Sequence, residues 1–517
     1  MRGIRPAPCI AYAIAGVCTA VLLFSGLLTF HEPSRNSLLR TSWLTPSTPQ
    51  LLPTLYEAWL PDRTLPDALL HPSLNLLASR LSEFLHRPIR AYNESIEFNQ
   101  QHCPLYISDK LVNPDQLRGD GEFWREHVGV TEIAEKRAGI VKHLEERVAQ
   151  GLEVVGSKNM GGGRGIVVAG GNQDTTLRLI TLLRHLQRLN NTLPIELFHF
   201  PGELTDGAQR KEVQELGATI RQISGVEKAA GAWKNFQIKG LAIVESSFRE
   251  VLYLDSDNIP LRDPSHLFSS PIYLENDRRA VFWPDISKDH ASNAIWRIIG
   301  DQCTLDHWTF ESGQIVIDKA GNDGLNLAAL WIASGMMDSG KDGRDFWFKM
   351  CGGDKDTFRW AFRSLGIEWG SPPRWMSALG GLSEEGGRFC GHTTLQYDLV
   401  TPKGFSHPPP LFVHSNLLKH LGGVGISRGN TFTHVKRMSL DQYTESSLNF
   451  AHLWVYWGNL QGMCLDLELQ DTAATGLSDE EKREQYVETI DLDDLEGRPF
   501  DGFEDSFWDQ GGRVGGW

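Results

Sequence analysis

Short apolar segments alternate with helical segments from residue 165 to residue 257, and this alternation restricts the fold more than any other feature of the sequence. The intervening "TTLRLITLLRHLQRLN" (175–190) carries apolar residues at three- and four-residue spacing, which is typical of a helix. Strands that alternate with helices predict an α/β fold with a doubly wound, mostly parallel sheet. Four segments have the length and composition of strands: "GIVVAGG" (165–171), "LPIELFHF" (193–200), "ATIRQIS" (218–224) and "EVLYLDSD" (250–257).

The last of these segments ends in two carboxylates, Asp255 and Asp257, separated by Ser256. Ligands bind beyond the carboxyl ends of strands in such sheets, and side chains two residues apart on a strand point the same way. Two adjacent carboxylates repel each other unless a cation lies near both. The segment therefore predicts a site that holds Mn²⁺ or Mg²⁺ against a diphosphate. The alternative is that these residues serve as turn or cap residues.

The net charge of the 517 residues is −15 and the pI is about 5.6. Nucleic-acid-binding proteins normally present a basic face to the phosphates. The composition therefore excludes a general nucleic-acid binder.

The N-terminal part of the sequence predicts a membrane anchor. Residues 9–30 carry no charge and are long enough to span a bilayer, whereas the apolar region of a signal peptide is shorter. Arg2 and Arg5 precede this segment, which places residues 1–8 in the cytosol and predicts a single-pass type II membrane protein. A signal peptide cut near Ala20 is the alternative.

Composition divides the remainder into three parts. Residues 31–150 predict a Pro- and Ser-rich stem followed by a helical lead-in, and residues 151–465 predict the main α/β domain. Residues 466–517 are acidic and Gly-rich, which predicts a disordered tail.

Five cysteines lie beyond the anchor and show no metal-binding spacing, so we expect up to two disulfides with one cysteine left over.

The stretch "FREVLYLDSDNIPLRDPSHLF" (248–268) resembles the metal-binding segment of the fungal α-mannosyltransferases of glycosyltransferase family 71. The likeness continues in order over residues 165–422 and includes "FWPDI", "ESGQIVIDK", "GGDKDTFRWAF" and "LFVHSNLLKH". The resemblance implies a GT-A-like fold, GDP-mannose as donor, a divalent metal and transfer of an α-mannosyl unit with retention of configuration. It further implies a glycan or glycoprotein acceptor, the Golgi membrane and compatibility with a mannosyltransferase complex.

The resemblance also suggests donor-binding residues. In "FSHPPPLFVHSNLLKH", His414 is the candidate third metal ligand, with His407 and His420 as alternatives. Asn416 belongs to the same segment and is expected to complete donor binding. Lys419 is expected to meet the diphosphate.

Two residues outside that segment are further donor-binding candidates. Lys239, on the helix before the metal strand, is a candidate phosphate-binding cation, and its alternative is a surface lysine. Gly170 is expected to let the nucleotide approach the first strand.

Two further segments provide candidate catalytic residues. Glu311 or Gln314 in "ESGQIVIDK" is a candidate for bonding donor or acceptor hydroxyls, with a turn role as the alternative for this segment. In "GGDKDTFRWAF", Asp354 is a candidate for orienting the acceptor hydroxyl, and Asp356 is interpreted as a helix N-cap.

Two other function classes compete with a transferase. A lumenal glycoside hydrolase also needs two carboxylates but no metal or nucleotide. A non-catalytic glycan-binding subunit would keep the fold without the activity. Dependence of activity on metal argues against the first, and donor turnover argues against the second.

Overall fold

The computed structural model describes residues 63–226, 228, 235–305, 308–338, 344–382, 388–422, 426–439, 451–458, 462–469 and 486–515. The predicted anchor and the stem up to residue 62 lie outside these ranges. Within them, no helix combines the length and the apolar character needed to cross a bilayer.

The predicted helical lead-in forms part of the main folded unit. Its longest helix buries Ile133, Ile140 and Leu144 on one face, because residues at these spacings share a side of a helix. These side chains enter the same core as Val167 of the first strand. The lead-in consists of α1 (Asn75–His86), α2 (Tyr92–Asn99), α3 (Leu105–Leu111), α4 (Pro114–Glu126) and α5 (Val130–Ala149).

The strands and helices predicted between residues 165 and 257 are all present. The remaining described helices are α6 (Gln173–Arg188), α7 (Gly207–Glu215), α8 (Gln237–Glu245), α9 (Pro271–Leu274), α10 (Ile295–Ile299), α11 (Leu325–Met336), α12 (Arg344–Cys351), α13 (Lys355–Leu365) and α14 (Phe503–Asp509). The described strands are β1 (Arg164–Ala169), β2 (Ile195–His199), β3 (Ala218–Gln222), β4 (Glu250–Leu254), β5 (Asn258–Pro260), β6 (Ala280–Pro284), β7 (Phe310–Asp318), β8 (Ser377–Leu382), β9 (Phe389–Tyr397), β10 (Pro410–His414), β11 (His434–Met438), β12 (Ala451–Gly458), β13 (Gly462–Leu469) and β14 (Val487–Asp491).

The first sheet has the order β3-β2-β1-β4-β7-β6. Neighbouring strands from β3 to β4 are parallel, whereas β7 runs antiparallel to both β4 and β6. Val167 faces a core that includes α8 and α11, while Ile166 and Val168 face a core that includes α6. The predicted α/β fold, a mixed sheet with helices on both faces, is confirmed.

A second sheet, not predicted from the sequence, follows in the order β12-β13-β9-β8-β11-β14. Strand β10 pairs with β9 and also with the short strand β5. Because β5 begins at Asn258, just after β4 ends at Leu254, the Asp255–Asp257 segment links the two sheets.

The described residues contain two disulfides, in agreement with the prediction of up to two. Cys103–Cys303 ties the helical lead-in to the segment between α10 and β7, and Cys390–Cys464 ties β9 to β13. Cys351 is free and buried.

The prediction of a disordered tail over residues 466–517 is wrong for residues 466–469, which end β13, and for residues 486–515. Strand β14 pairs with β11, and α14 buries Phe503 and Phe507 against Phe432. These aromatic side chains supply the apolar area that the acidic composition of the segment conceals. The folded unit therefore extends beyond residue 465.

Candidate functional site

The turn after β4 carries the two predicted metal-binding carboxylates. The N–H of Asn258 donates to the carbonyl of Asp255 at 3.0 Å and closes a four-residue turn. The N–H of Asp255 donates to the carbonyl of Gly313 at 2.8 Å, and the N–H of Ser415 donates to the carbonyl of Asp257 at 2.9 Å. Strand β7 and the segment after β10 thus hold this turn from two sides.

The turn brings the carboxylates together for a different reason from the one the sequence suggested. Strand β4 ends at Leu254, so strand alternation does not extend over Asp255 and Asp257. Asp255, Ser256 and Asp257 all line one cavity.

The pairing of β10 with β5 brings His414 opposite Asn258, beside the turn. Its Nε2 lies 3.4 Å from Oδ1 of Asp257, and its Nδ1 lies 3.2 Å from Oε1 of Glu311. A carboxylate close to the second ring nitrogen is common around metal-binding histidines.

Asp255, Asp257 and His414 form a cluster that suits a divalent cation. One donor atom from each of the three residues lies within 4.8 Å of the others. Oxygen ligands lie about 2.0–2.6 Å from Mg²⁺ or Ca²⁺, so two donors on one ion are at most about 4–5 Å apart. Among the candidate histidines, His414 lines the cavity, whereas His407 and His420 do not.

The ionisable groups around His414 reinforce each other's charges. Burial would lower the pKa of His414, but Glu311 and Asp257 raise it to about 10. Burial would raise the pKa of Glu311, but His414 and the N–H of Gly313 lower it to about 2. The pKa of Asp257 is held well below its usual value because Lys419 and His414 outweigh the effect of its burial.

Each carboxylate of the predicted metal site also has a lysine partner. Nζ of Lys239 lies 3.1 Å from Oδ2 of Asp255 and 2.8 Å from Oδ2 of Asp354, and Lys419 pairs with Asp257. The lysines therefore already reduce the repulsion between the two carboxylates that predicts a cation from the sequence. A divalent ion at the cluster would compete with these ammonium groups for the same oxygens.

The candidate catalytic residues Glu311 and Asp354 both line this cavity, which has a volume of about 410 Å³. The Ser312 hydroxyl donates to Asp354 at 3.2 Å and fixes its carboxylate. Gln314 is fully buried, does not line the cavity and accepts a hydrogen bond from Asn258. The structure therefore favours Glu311 over Gln314 as the residue that meets a ligand.

Asp356 does not cap α13, contrary to the interpretation of the sequence. It lies within the first turn of the helix, fully buried, and its carboxylate accepts the N–H of Phe310 at 3.0 Å. Oδ1 of Asp356 also lies 2.8 Å from Nε of Arg359. Its role is to join α13 to β7.

The other two predicted donor-binding residues, Gly170 and Asn416, also line the cavity. A side chain at position 170 would place its Cβ 3.3 Å from Thr175, which is tighter than ordinary packing. The backbone of Gly170 therefore lies close to α6 at the carboxyl end of β1.

Several residues that line the cavity were not predicted from the sequence. Arg178 lies one turn inside α6, and Lys355 pairs with Asp285 across 70 residues of sequence. The N-cap pattern of Asn172 before Thr175 marks the start of α6 and is the one local signal among them. The missed residues with polar side chains include Asn172, Thr175, Arg178, Glu203, Lys228, Asn235, Asp285 and Lys355.

Sequence comparison relates the chain to fungal mannosyltransferases. Residues 163–307 match a family model described as "Mannosyltransferase putative". The chain is 34% identical over 152 residues to alpha-1,2-mannosyltransferase MNN22 of Candida albicans. This match covers 26% of this chain and 24% of that protein. It is 23% identical over 361 residues to alpha-1,2-mannosyltransferase MNN2 of Saccharomyces cerevisiae, which covers 60% of this chain and 56% of that protein.

These matches confirm the resemblance to fungal α-mannosyltransferases, which are transferase enzymes. The chain spans about a quarter of the length of the first relative and about half of the second.

Among solved structures, the glycosyltransferase GlyE of Streptococcus pneumoniae is similar with a TM-score of 0.25 and 17% identity. The match covers 41% of this chain and 45% of that chain. No residue equivalence is inferred at that score.

Proposed function

We propose that this protein is a metal-dependent, retaining α-mannosyltransferase with a GT-A-like fold, which transfers mannose from GDP-mannose to a mannose-containing glycan. The cluster of Asp255, Asp257 and His414, in one cavity at the edge of a mixed sheet, is the observation that carries the proposal. The names of the fungal relatives support mannose as the sugar and an α-1,2 bond as the product.

Mn²⁺ or Mg²⁺, when bound, supplies Lewis-acid stabilisation to the negative charge of a diphosphate leaving group. Asp255, Asp257 and His414 would hold the ion, and the carboxylate of Glu311 lies 3.2 Å from Nδ1 of the imidazole. This donor set of two carboxylates and one imidazole suits Mn²⁺.

The chain's own cations complete the site for the diphosphate. Lys239 and Lys419 contact the carboxylates of the cluster, so their ammonium groups are within reach of phosphates bound beside it. Lys239 also contacts Asp354, which links the phosphate side of the cavity to its proposed acceptor side. Asp354 would orient the attacking hydroxyl of the acceptor.

We further propose that the protein is a single-pass type II protein of the Golgi membrane, with its domain in the lumen. The uncharged segment 9–30 and the basic residues before it support the anchor. The two disulfides fit an oxidising compartment. Protease digestion of the domain in sealed Golgi vesicles without detergent would contradict this topology.

A donor screen tests the proposed activity. Purified full-length protein is incubated with GDP-mannose, UDP-sugars and a mannose-containing acceptor, with Mn²⁺ or with EDTA, and the nucleotide released and the new linkage are identified. We expect GDP release that depends on both mannose donor and metal, with an α-1,2-linked product.

Asp257→Asn should abolish this turnover, whereas Asp115→Asn, at an exposed position on α4, should leave it unchanged. Turnover of UDP-sugars alone would contradict the assigned donor. Metal-independent release of sugar from the glycan would favour a hydrolase. A folded protein that binds glycan without any turnover would favour the non-catalytic subunit.

A further inference from the structure

An ion pair at the end of β2 lines the same cavity as the metal-site carboxylates. Nζ of Lys228 lies 3.0 Å from Oε1 of Glu203, and the two side chains are only 24% and 15% exposed. The N–H of Phe200 donates to Oε2 of Glu203 at 3.3 Å and fixes the carboxylate. The metal cluster does not use this pair, and no local sequence motif marks it.

The order of the sheet places the end of β2 two strands away from the end of β4, where the metal cluster lies. Strand β1 lies between β2 and β4, with Ala169 opposite Phe198 and Val168 opposite Leu254. Neighbouring strands are about 4.8 Å apart, so the end of β2 lies about 10 Å across the sheet from the end of β4. This separation resembles that between the base and the β-phosphate of an extended nucleoside diphosphate.

The loop after β1 packs closely against the residues at the end of β2. Gly171 has φ +156°, and a Cβ there would lie 2.8 Å from Cβ of His199 and 3.0 Å from Cβ of Glu203. Any side chain at position 171 would therefore displace Glu203. Glycine at this position keeps the carboxylate of Glu203 at the edge of the cavity.

We propose that Glu203 and Lys228 read the Watson–Crick edge of guanine in the nucleoside diphosphate of the donor, an inference that rests on the proposed function. That edge presents two donors, N1–H and the N2 amino group, followed by the O6 acceptor. A carboxylate beside an ammonium group presents two acceptors followed by a donor, which is the complementary pattern.

The same pair disfavours the other bases. Uracil presents a single N–H between two carbonyl oxygens, so one of its oxygens would face the carboxylate of Glu203. Adenine has an unprotonated N1 where guanine has a donor, so it too offers fewer bonds to a carboxylate. A site built to bond a particular donor group rejects analogues that lack it, because its polar groups are then left unpaired.

Calorimetric titration of the full-length protein with GDP, IDP and UDP in the presence of Mn²⁺ tests the proposal. IDP lacks only the 2-amino group of guanine. A hydrogen bond to a charged group corresponds to about a 10- to 100-fold change in affinity, so we expect GDP to bind at least 10-fold more tightly than IDP. UDP should bind more weakly than either.

Two variants distinguish the two halves of the pair. Glu203→Gln removes one acceptor and the negative charge, so the GDP-to-IDP ratio should fall toward one while IDP still binds. Lys228→Met removes the donor to O6, which both nucleotides carry, so both affinities should fall together and their ratio should persist. Glu215→Gln, exposed at the end of α7, is the matched control and should behave as the wild type.

The outcomes separate this inference from the proposed function. If the ratio of GDP affinity to IDP affinity is unchanged in Glu203→Gln, the role of Glu203 is overturned. The mannosyltransferase proposal would still stand. Tighter binding of UDP than of GDP in the wild type would overturn both. Retained IDP binding in Glu203→Gln shows that the site is folded, so a lost ratio then supports base recognition.

Discussion

Replacing Lys239 with methionine removes a buried ammonium group and keeps most of the side-chain volume. Lys239 is 7% exposed and its Nζ contacts Asp255 at 3.1 Å, Asp354 at 2.8 Å and the Ser312 hydroxyl at 2.9 Å. The two carboxylates raise the pKa of Lys239 even though its burial opposes this. In Lys239→Met, both carboxylates would lose this cation.

The size of the effect follows from the burial of the partners. Removing one partner from a buried ion pair costs about 3–5 kcal/mol. Asp354 is 12% exposed, whereas Asp255 is 25% exposed and can be partly hydrated. We therefore expect the free energy of unfolding of Lys239→Met to be lower by about 3 kcal/mol in EDTA, near the lower end of that range.

Divalent metal should compensate for part of this loss. A cation at the cluster of Asp255, Asp257 and His414 no longer competes with Lys239, so the variant should bind Mn²⁺ more tightly than the wild type does. A ligand at 100 times its Kd stabilises the folded state by about 2.7 kcal/mol. Mn²⁺ should therefore raise the stability of the variant by more than it raises that of the wild type.

Urea denaturation of both proteins, in EDTA and in Mn²⁺, measures these differences. The matched control is Lys319→Met, because Lys319 is 2% exposed and donates to the carbonyls of Val244 and Ser246 away from the cavity. That variant should gain no more from Mn²⁺ than the wild type does. An equal gain from Mn²⁺ in Lys239→Met and wild type would refute the reasoning.

Two other perturbations test the fold. Deleting residues 486–517 uncovers the apolar surface around Phe432, so we expect a large loss of cooperative unfolding by circular dichroism. If the tail were disordered, its deletion would leave unfolding unchanged. Burial lowers the pKa of His185 to about 4, so the folded protein keeps this ring neutral while the unfolded chain protonates it near pH 6.5. The free energy of unfolding should therefore fall as the pH drops from 6.5 toward 4, by up to about 3 kcal/mol for this group. Thermal unfolding of His185→Gln should show a smaller fall over the same pH range. Equal slopes of stability against pH in the variant and the wild type would contradict this role.

Strands β1 to β4 of the first sheet and the acidic turn could be predicted because their signals are local. Apolar segments of strand length and the helices between them follow from the residues themselves, and "VLYLDSD" places carboxylates at a strand end. The identity of the third cluster residue was not local. The sequence alone did not separate His414 from His407 or His420, and only the pairing of β10 with β5 brings His414 to Asp257.

The missed features share a dependence on tertiary structure. Lys355 meets Asp285 across 70 residues of sequence, and Lys228 meets Glu203 only because the chain returns to the end of β2. Disorder of the tail was predicted because acidic residues dominate its average composition. In the structure, Phe507 of this tail is fully buried against the second sheet. Pairing and packing of this kind are decided by the fold as a whole.

The most direct test of the central claim is Mn²⁺ binding followed by electron paramagnetic resonance of the free ion, with GDP present. We expect one Mn²⁺ per wild-type chain, and at least a 10-fold weaker affinity in Asp257→Asn and His414→Gln while circular dichroism stays unchanged. Asp115→Asn should bind as the wild type does. Unaltered Mn²⁺ affinity in both cluster variants would contradict the assignment of Asp255, Asp257 and His414 as the metal site.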